Sequence, residues 1–489
     1  MKKVLLVISV IAMAMMLSLT VFAFEGDGSE ETPFLISNQA ELELVTDFPD
    51  CHFRLTNDIE LEGTWIPLCK QTSSGTFYGV FDGAGYTISN LLTDGSEGGL
   101  FKNNNGTIKN LEIIIASDGM TGTGAIANNN SGTISDCTAK GNITGMDNYQ
   151  LGGICGSNTG YILHCHFEGN ILGNNSHVGG ICGYNNYVVS QCKFKGNVKN
   201  QGSSGYTGGI CGKANSSNIE KSVVLGNIIG EDYTGGICGY SGLNSEGNIT
   251  ISNCYFIGEI SGTTEHKAGI SGYACGYKYK SYSASTYYTT IEDCYAVPTF
   301  NDGGYGISYR ADYTDMTESY YDKTISGLSN TYYGTPKSTV AMKMKQTYSD
   351  WDFDTVWAID KSINDGYPYL QWEYPDVQEE IPYTVNSVSI TDLSGNELEE
   401  IPNESFYVEI NITKNDNSKN ADSMIIAAYD ENGTFTDVKF LKGIYNQNQT
   451  VSFGAMLNNS KGNIGCIKSF VWNNIAGVSP LSNVVEISK

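Results

Sequence analysis

GGICGSNTGYILHC (152–165), GGICGYNNYVVSQC (179–192) and GGICGKANSSNIEKS (208–222) state one phrase three times, and the distance between the copies decides how this chain folds. Two further copies flank them, GAIANNNSGTISDC (124–137) and GGICGYSGLNSEGNITISNC (235–254), with looser versions at 98–111 and 268–294. The apolar residue at the centre of each phrase is Leu100, Ile126, Ile154, Ile181, Ile210, Ile237 and Ile270, which gives steps of 26, 28, 27, 29, 27 and 33 residues. Glycine pairs and β-branched runs exclude a helical repeat, since neither suits a period of 3.6 residues. Strand-type sequence at this spacing predicts a parallel β-helix, a right-handed β-solenoid with about 27 residues in each coil.

Stacked coils place equivalent residues about 4.8 Å apart across a parallel ladder, so a repeated residue becomes a column. The isoleucines form one apolar seam. Cys137, Cys165, Cys192, Ser222, Cys254 and Cys294 form a second, and Phe167, Phe194, Val224 and Phe256 a third. Strand alternation turns His166, Lys193 and Tyr255, which lie between those two columns, toward water. Gly141-Asn142, Gly169-Asn170, Gly196-Asn197 and Gly226-Asn227 recur four residues after the second seam, where glycine supplies a positive φ and stacked asparagines bond one another. A ladder needs the same residue at every turn and a binding site does not, so these asparagines read as structural. Most of the 13 cysteines fall in such columns, including Cys155, Cys182, Cys211 and Cys238. Parallel side chains match disulfide geometry poorly, so the cysteines read as buried thiols filling space, with disulfides as the alternative in an exported protein.

The recurring Gly-Gly-Ile-Cys-Gly core resembles the GLUG repeat, named for its Gly-Leu-x-Gly motif, over residues 98–296. The flanks LTNDIEL (55–61), TWIPL (64–68) and FYGVFDGAGYTISNL (77–91) resemble the segment that precedes such repeats, and WDFDTVWAIDKSINDGYPYLQW (351–372) the one that closes them. The resemblance implies an exported bacterial protein of surface or adhesin type. Some relatives belong to immunoglobulin-A-cleaving metallopeptidases, whose His-Glu-x-x-His motif is absent here.

Residues 1–23 read as an export leader, with Lys2 and Lys3 before an apolar run and a cleavage site at Val21-Phe22-Ala23. Residues 24–97 then supply the N-terminal cap and first coils, 98–296 the repeats and 297–373 a closing segment. Asn38 caps a short helix with Glu41 three residues on, and Ser338 opens another over 340–346. Trp351, Phe353, Trp357, Tyr367, Tyr369 and Trp372 read as a hydrophobic lid over the last coil, with glycan stacking as their competing role. A proline-containing linker at 374–382 leads to short alternating strands over 383–489, which predict an immunoglobulin- or fibronectin-like β-sandwich.

A formal net charge of −25 repels phosphate backbones, so nucleic acid is excluded as a partner. Acidity of this kind keeps an extracellular protein soluble, and weak surface calcium binding is its sharper alternative. Beyond the leader no stretch has the ~18 apolar residues of a membrane span. The corner column Asp136, His164, Gln191, Lys221, Asn253 and Asp293 varies from coil to coil, as a solvated face does. Arg54 and Arg310 are the only arginines, which leaves a calcium-plus-base lyase site without support. His164 and His166 flank Cys165 with His177 one coil on, but alternation keeps the cysteine and the histidines from meeting on one ion. No catalytic residue, cofactor or metal ligand is assigned. The expectation is a secreted, monomeric, non-catalytic binding or adhesin-type scaffold for an extracellular glycan or a host or cell-surface protein. Tyr277, Tyr279, Tyr282, Tyr287 and Tyr288, in the longest insertion, are the candidate contacts. A polysaccharide-degrading enzyme and a structural envelope component are the alternatives.

Overall fold

The computed structural model describes residues 24–489 except 96–97, 146–149, 175, 204, 243–246, 276, 279–285, 313, 329–332, 375–382, 415–422, 442–449, 475–476, 481, 483 and 489. The expected leader and most of the expected linker lie outside the described residues. The chain forms two compact units, residues 1–373 and 374–489.

The first unit is a parallel β-solenoid of about nine turns with about 28 residues per turn. Among the described residues, sheet A stacks eleven strands from Phe34–Ile36 to Thr314–Thr317, and sheet B runs from Ile59–Glu60 to Thr335–Lys337. Sheet C stacks nine from Thr76–Phe77 to Ala311–Asp312, and sheet D adds five short ones from Gln150–Leu151 to Lys267–Ala268. The register is that of the sequence columns: Cys155, Cys182, Cys211 and Cys238 pair in turn, as do Phe167, Phe194, Val224 and Phe256. Ile126, Ile154, Ile181, Ile210, Ile237 and Ile270 are fully buried, and each backbone N–H donates to the carbonyl of the next at 2.8–3.0 Å. The series runs on to Ile307, 3.0 Å from Ile270. The segment read as a closure therefore first adds strands to sheets A, B and C. Its 37-residue step from Ile270 breaks the period that revealed the other coils.

The cysteine seam has a chemical reason beyond filling space. Asn110, Asp136, His164, Gln191, Lys221, Asn253, Asp293 and Glu318 turn the corner in the left-handed region, with φ between 43° and 53°. After each corner from Asp136 on, the next residue folds back, and its side chain donates to the carbonyl two positions earlier. Cys137 reaches Ser135 O at 3.1 Å, Cys165 reaches Leu163 O at 3.2 Å and Cys294 reaches Glu292 O at 3.1 Å. Ser222 and Ser319 do the same with a hydroxyl at 2.9 Å, which explains why serine substitutes for cysteine in this column. All 13 cysteines carry free thiols.

Asparagine ladders occur outside and inside. On the outside Asn170 Nδ2 donates to Asn142 Oδ1 at 2.9 Å and Asn197 Nδ2 to Asn170 Oδ1 at 2.7 Å. The glycines before them stack so closely that a Cβ at Gly169, Gly196 or Gly226 would lie 1.8 Å from the carbonyl of the glycine below. Inside, Asn104, Asn130, Asn158 and Asn185 are at most 1% exposed, and each Nδ2 donates to the next Oδ1 at 2.8 Å. A buried amide left unpaired costs about 1–3 kcal/mol, and stacking identical amides removes that cost.

The short helix Gln39–Glu43 is capped by Asn38, whose Oδ1 accepts from Glu41 N at 3.1 Å. Ser338 caps Thr339–Met342 in the same way, but the helix expected over 340–346 ends there: Met344 is extended, and a separate 3-10 turn follows at Lys345–Tyr348. The aromatic segment that follows does not lid the last coil. It lies along the flank of the solenoid, over the outer face of sheet B. Trp351, Trp357, Tyr367 and Leu370 pack on Val223, Tyr255, Tyr295 and Tyr320 in one core, with Trp372 at its edge. Tyr255, expected in water, is 1% exposed. Lys193 pairs with Glu373 at 2.8 Å, and His166 stacks on Trp372 with ring centroids 5.6 Å apart. Alternation does point these residues out of the coil; the chain then covers them.

The second unit has two antiparallel sheets. One holds Tyr383–Thr391, Glu397–Leu398, Ser405–Lys414 and Thr450–Asn458; the other holds Ser423–Tyr429, Phe435–Leu441, Cys466–Asn474, Gly477–Pro480 and Val485–Ser488. Val385, Ile410 and Ile412 of the first share a core with Met424, Ile426 and Ile467 of the second.

Candidate functional site

Sheets C and D carry a second outward aromatic face, which no segment roofs among the described residues. It arises from two columns. Residue six of the repeated phrase is Tyr184, Lys213, Tyr240 and Tyr273, aligned by strand register on sheet C. On sheet D, His177 pairs with Tyr206, and Tyr233 and His266 continue that column immediately before the paired Thr234 and Lys267. Glycines at the adjoining positions, such as Gly183, Gly212 and Gly239, leave room for neither side chain nor Cβ, so the two sheets meet closely and the rings interleave.

The rings form one continuous array. Tyr206 stacks on Tyr240 at 4.6 Å, and Tyr240 on Tyr273 at 5.0 Å with planes only 1° apart. Tyr233 stands edge-on to Tyr240 and Tyr273 at 5.7 and 5.0 Å and stacks on His266 at 4.6 Å. Tyr309 extends the array from His266 at 4.4 Å. Two cations rest on it. Lys213 Nζ lies 5.9 and 5.7 Å from the Tyr206 and Tyr240 ring centres, and the Arg310 guanidinium 5.7 Å from that of Tyr273. Asp232 accepts from or pairs with His266 Nδ1 at 3.0 Å. Burial pushes the Tyr240 phenol up to about 12, helped by Tyr206, Cys275 and Tyr233, so it stays a neutral donor at any physiological pH. Burial alone pulls the Lys213 ammonium below the usual lysine range.

Of the five expected contact tyrosines only the side chain of Tyr288 is described, and it is not part of this array. Tyr277 pairs with Tyr287 in a short antiparallel hairpin directly after sheet C; Tyr279, Tyr282 and the side chains of Tyr277 and Tyr287 lie outside the described residues. Tyr288 is 41% exposed, and its N–H donates to Asn248 Oδ1 at 3.1 Å. The aromatic stripe went unread although its signal was present, as the recurrent residue after Gly-Gly-Ile-Cys-Gly. Of the closing aromatics considered for glycan stacking, Trp351, Trp357, Tyr367 and Tyr369 are buried, Trp357 at 0% and Trp351 at 5% exposed, while Phe353 and Trp372 are partly buried at the edge of the same core.

The corner column is not wholly solvated either. Trp372 Nε1 donates to Lys221 O at 2.9 Å, Trp357 Nε1 to Asn253 Oδ1 at 2.9 Å and Trp351 Nε1 to Glu318 O at 3.0 Å. Beside this contact, Asp293 and Glu318 hold equivalent corners of adjacent turns, following the paired Glu292 and Thr317. Burial, with Glu292, Glu318 and Asp350 close by, pushes the Asp293 carboxyl up to about 6. His164, His166 and His177 go to different surroundings: Asp136, Trp372 and the Tyr184–Tyr206 pair. Among the described residues no three His, Cys, Asp or Glu side chains are arranged to hold a metal, and no helix is long and apolar enough to cross a membrane.

No family model matches the chain. A stretch of 151 residues, 27% of this chain, is 31% identical to part of halomucin from Haloquadratum walsbyi, and 56 residues are 43% identical to a putative Gly-rich membrane protein from Evansella cellulosilytica. These matches span 2% and 6% of the lengths of those proteins. Among solved structures, an IgA1 protease is similar over 65% of this chain and 24% of its own, at 14% identity and a TM-score of 0.38. The enzymatically active domain of a bacteriophage tailspike is similar over 87% of this chain and 62% of its own, at 10% identity and a TM-score of 0.23. Likeness of that degree assigns no activity.

Proposed function

We propose that the chain is a secreted or cell-surface scaffold of adhesin type, built on GLUG-like coils with an immunoglobulin-like module after them, which binds an extracellular ligand without turning it over. The observation that carries this reading is the aromatic stripe from His177 to Arg310. Half-exposed tyrosines are repeated on successive coils, and a solenoid that needed only to stack would not require them there. Surface-type relatives, a halomucin among them, agree with export, as does the leader-like start. A glycan array run beside a reducing-sugar release assay tests the reading. Binding without release is the expected result; silence on the array and on whole cell surfaces alike would leave the structural-component reading.

A second reading, a polysaccharide-degrading enzyme, has one specific observation in its favour. Asp293 and Glu318 stand one turn apart with the first carboxyl held up to about 6, and glycoside hydrolysis uses such a split pair of acids. Sugar release that Asp293→Asn abolishes would replace the binding reading with this one.

A further inference from the structure

We infer that the stripe on sheets C and D takes an acidic polysaccharide, a chain bearing carboxylates such as a polyuronate, laid along the solenoid axis. The inference rests on the binding reading above and names its ligand. Its starting point is what the stripe offers a ligand. The phenol hydroxyls of Tyr206, Tyr233 and Tyr240 make no hydrogen bond within the protein among the described residues, and none of the three is an oxygen shut away from solvent. Tyr240 is kept protonated by its surroundings, so it donates. Lys213 sits on two tyrosine rings with no carboxylate at ion-pair distance among the described residues. A half-buried ammonium with only ring faces for company has lost hydration that the rings only partly replace, and a ligand carboxylate would supply the rest. The one acid of the array, Asp232, is engaged by His266. Open phenol donors and the unpaired Lys213 ammonium call for a ligand of acceptors and negative charge.

Geometry adds the direction of the ligand. Tyr206, Tyr240 and Tyr273 stack face to face, so they show edges and hydroxyls rather than broad faces, which disfavours flat stacking of a neutral sugar. Lys213 and Arg310 stand three turns apart, about 14 Å at the pitch of a parallel ladder, with a tyrosine on each turn between. A chain of pyranoses, each close to one coil pitch in length, would meet the donors of Tyr206, Tyr233 and Tyr240 on successive turns and a cation at both ends. The net charge of −25 opposes any polyanion at long range, but charges beyond about 8 Å are screened at physiological salt, so local donors decide.

Calorimetry on the full secreted chain in EDTA, with oligogalacturonate as the probe and cello- and xylo-oligosaccharides beside it, tests the inference. Expected are binding of the uronate alone, weakening as salt rises, a roughly tenfold loss in Lys213→Gln and a few-fold loss in Tyr240→Phe, which keeps the ring and removes the donor. Near-UV circular dichroism should be unchanged in both variants. Neutral chains bound as tightly as the uronate, or uronate binding indifferent to Lys213→Gln, would overturn the charge assignment while leaving the stripe as a binding face. Absence of binding to every glycan, with capture of the chain by a cell-surface protein, would overturn it and retain only the scaffold.

Discussion

One solenoid carries two outward aromatic faces, and the chain treats them in opposite ways. On sheet B the column His166, Lys193, Val223, Tyr255 and Tyr295 is roofed by residues 351–373, and Val223, Tyr255 and Tyr295 become part of a second core. On sheets C and D the column Tyr184, Lys213, Tyr240 and Tyr273 stays half-exposed, and the Tyr240 phenol and the Lys213 ammonium make no hydrogen bond or ion pair within the protein among the described residues. Both columns obey the same strand alternation. They differ in what the covered face does with its polar atoms. There the phenol hydroxyls find partners within the protein: Tyr295 OH donates to Pro368 O at 2.6 Å, Tyr255 OH to Glu373 at 2.8 Å and Tyr367 OH to Asp322 at 2.8 Å. An aromatic face that is satisfied internally is architecture, and one that is not is available for recognition.

Four outcomes would sharpen or break that contrast. Trp357→Ala should have the largest effect, removing a fully buried indole between Tyr255, Tyr295 and Trp351, with a cost of about 3–5 kcal/mol read from urea denaturation and early proteolysis within 338–373. A loss below about 1 kcal/mol would mean that the roof is not a true core. Glu373→Gln comes next, at about 2 kcal/mol, since the fully covered carboxylate holds Lys193 at 2.8 Å while Lys193 itself keeps some solvent. The uronate affinity should not change in either variant.

The third outcome concerns pH. His166 is packed on Trp372, with Lys193 and His164 facing it and Asp136 as the opposing acid, and its Nδ1 is buried without a partner. Burial, then Lys193 and His164, hold it below the usual histidine range. The folded state therefore takes up its proton less readily than the unfolded chain, so this contribution is whole above pH 6.5 and declines as pH falls below that value. Denaturation midpoints of His166→Gln should lose that slope between neutral and mildly acidic pH; an identical slope would place the acid sensitivity elsewhere. Smallest in stability is Tyr240→Ala on the open face, with under about 1 kcal/mol expected from a half-exposed ring. Its binding loss should nonetheless exceed that of either roof variant, and the reverse ranking would invert the assignment of the two faces.

Much of the solenoid was legible because its register is a repetition. Once Ile154, Ile181 and Ile210 are seen at one spacing, every column follows, including the corner glycines and the thiol seam. The coil centred on Ile307 was missed because a long insertion conceals the period, and the asparagine ladder from Asn104 to Asn185 because its polar residues fall where the period expects apolar ones. The stripe was half legible: residue six of the phrase is printed in the sequence, whereas Tyr206, Tyr233 and His266 come from segments of varying length before it.

From the sequence alone came the coil, its columns and the side of the strand each residue takes, because these depend on local alternation and on neighbours one period away. Only the tertiary structure decided which outward side is wet. Trp372 meets Lys221 across 151 residues and Glu373 meets Lys193 across 180, contacts that no period announces, and a face becomes a core or a site according to whether such a segment returns to cover it.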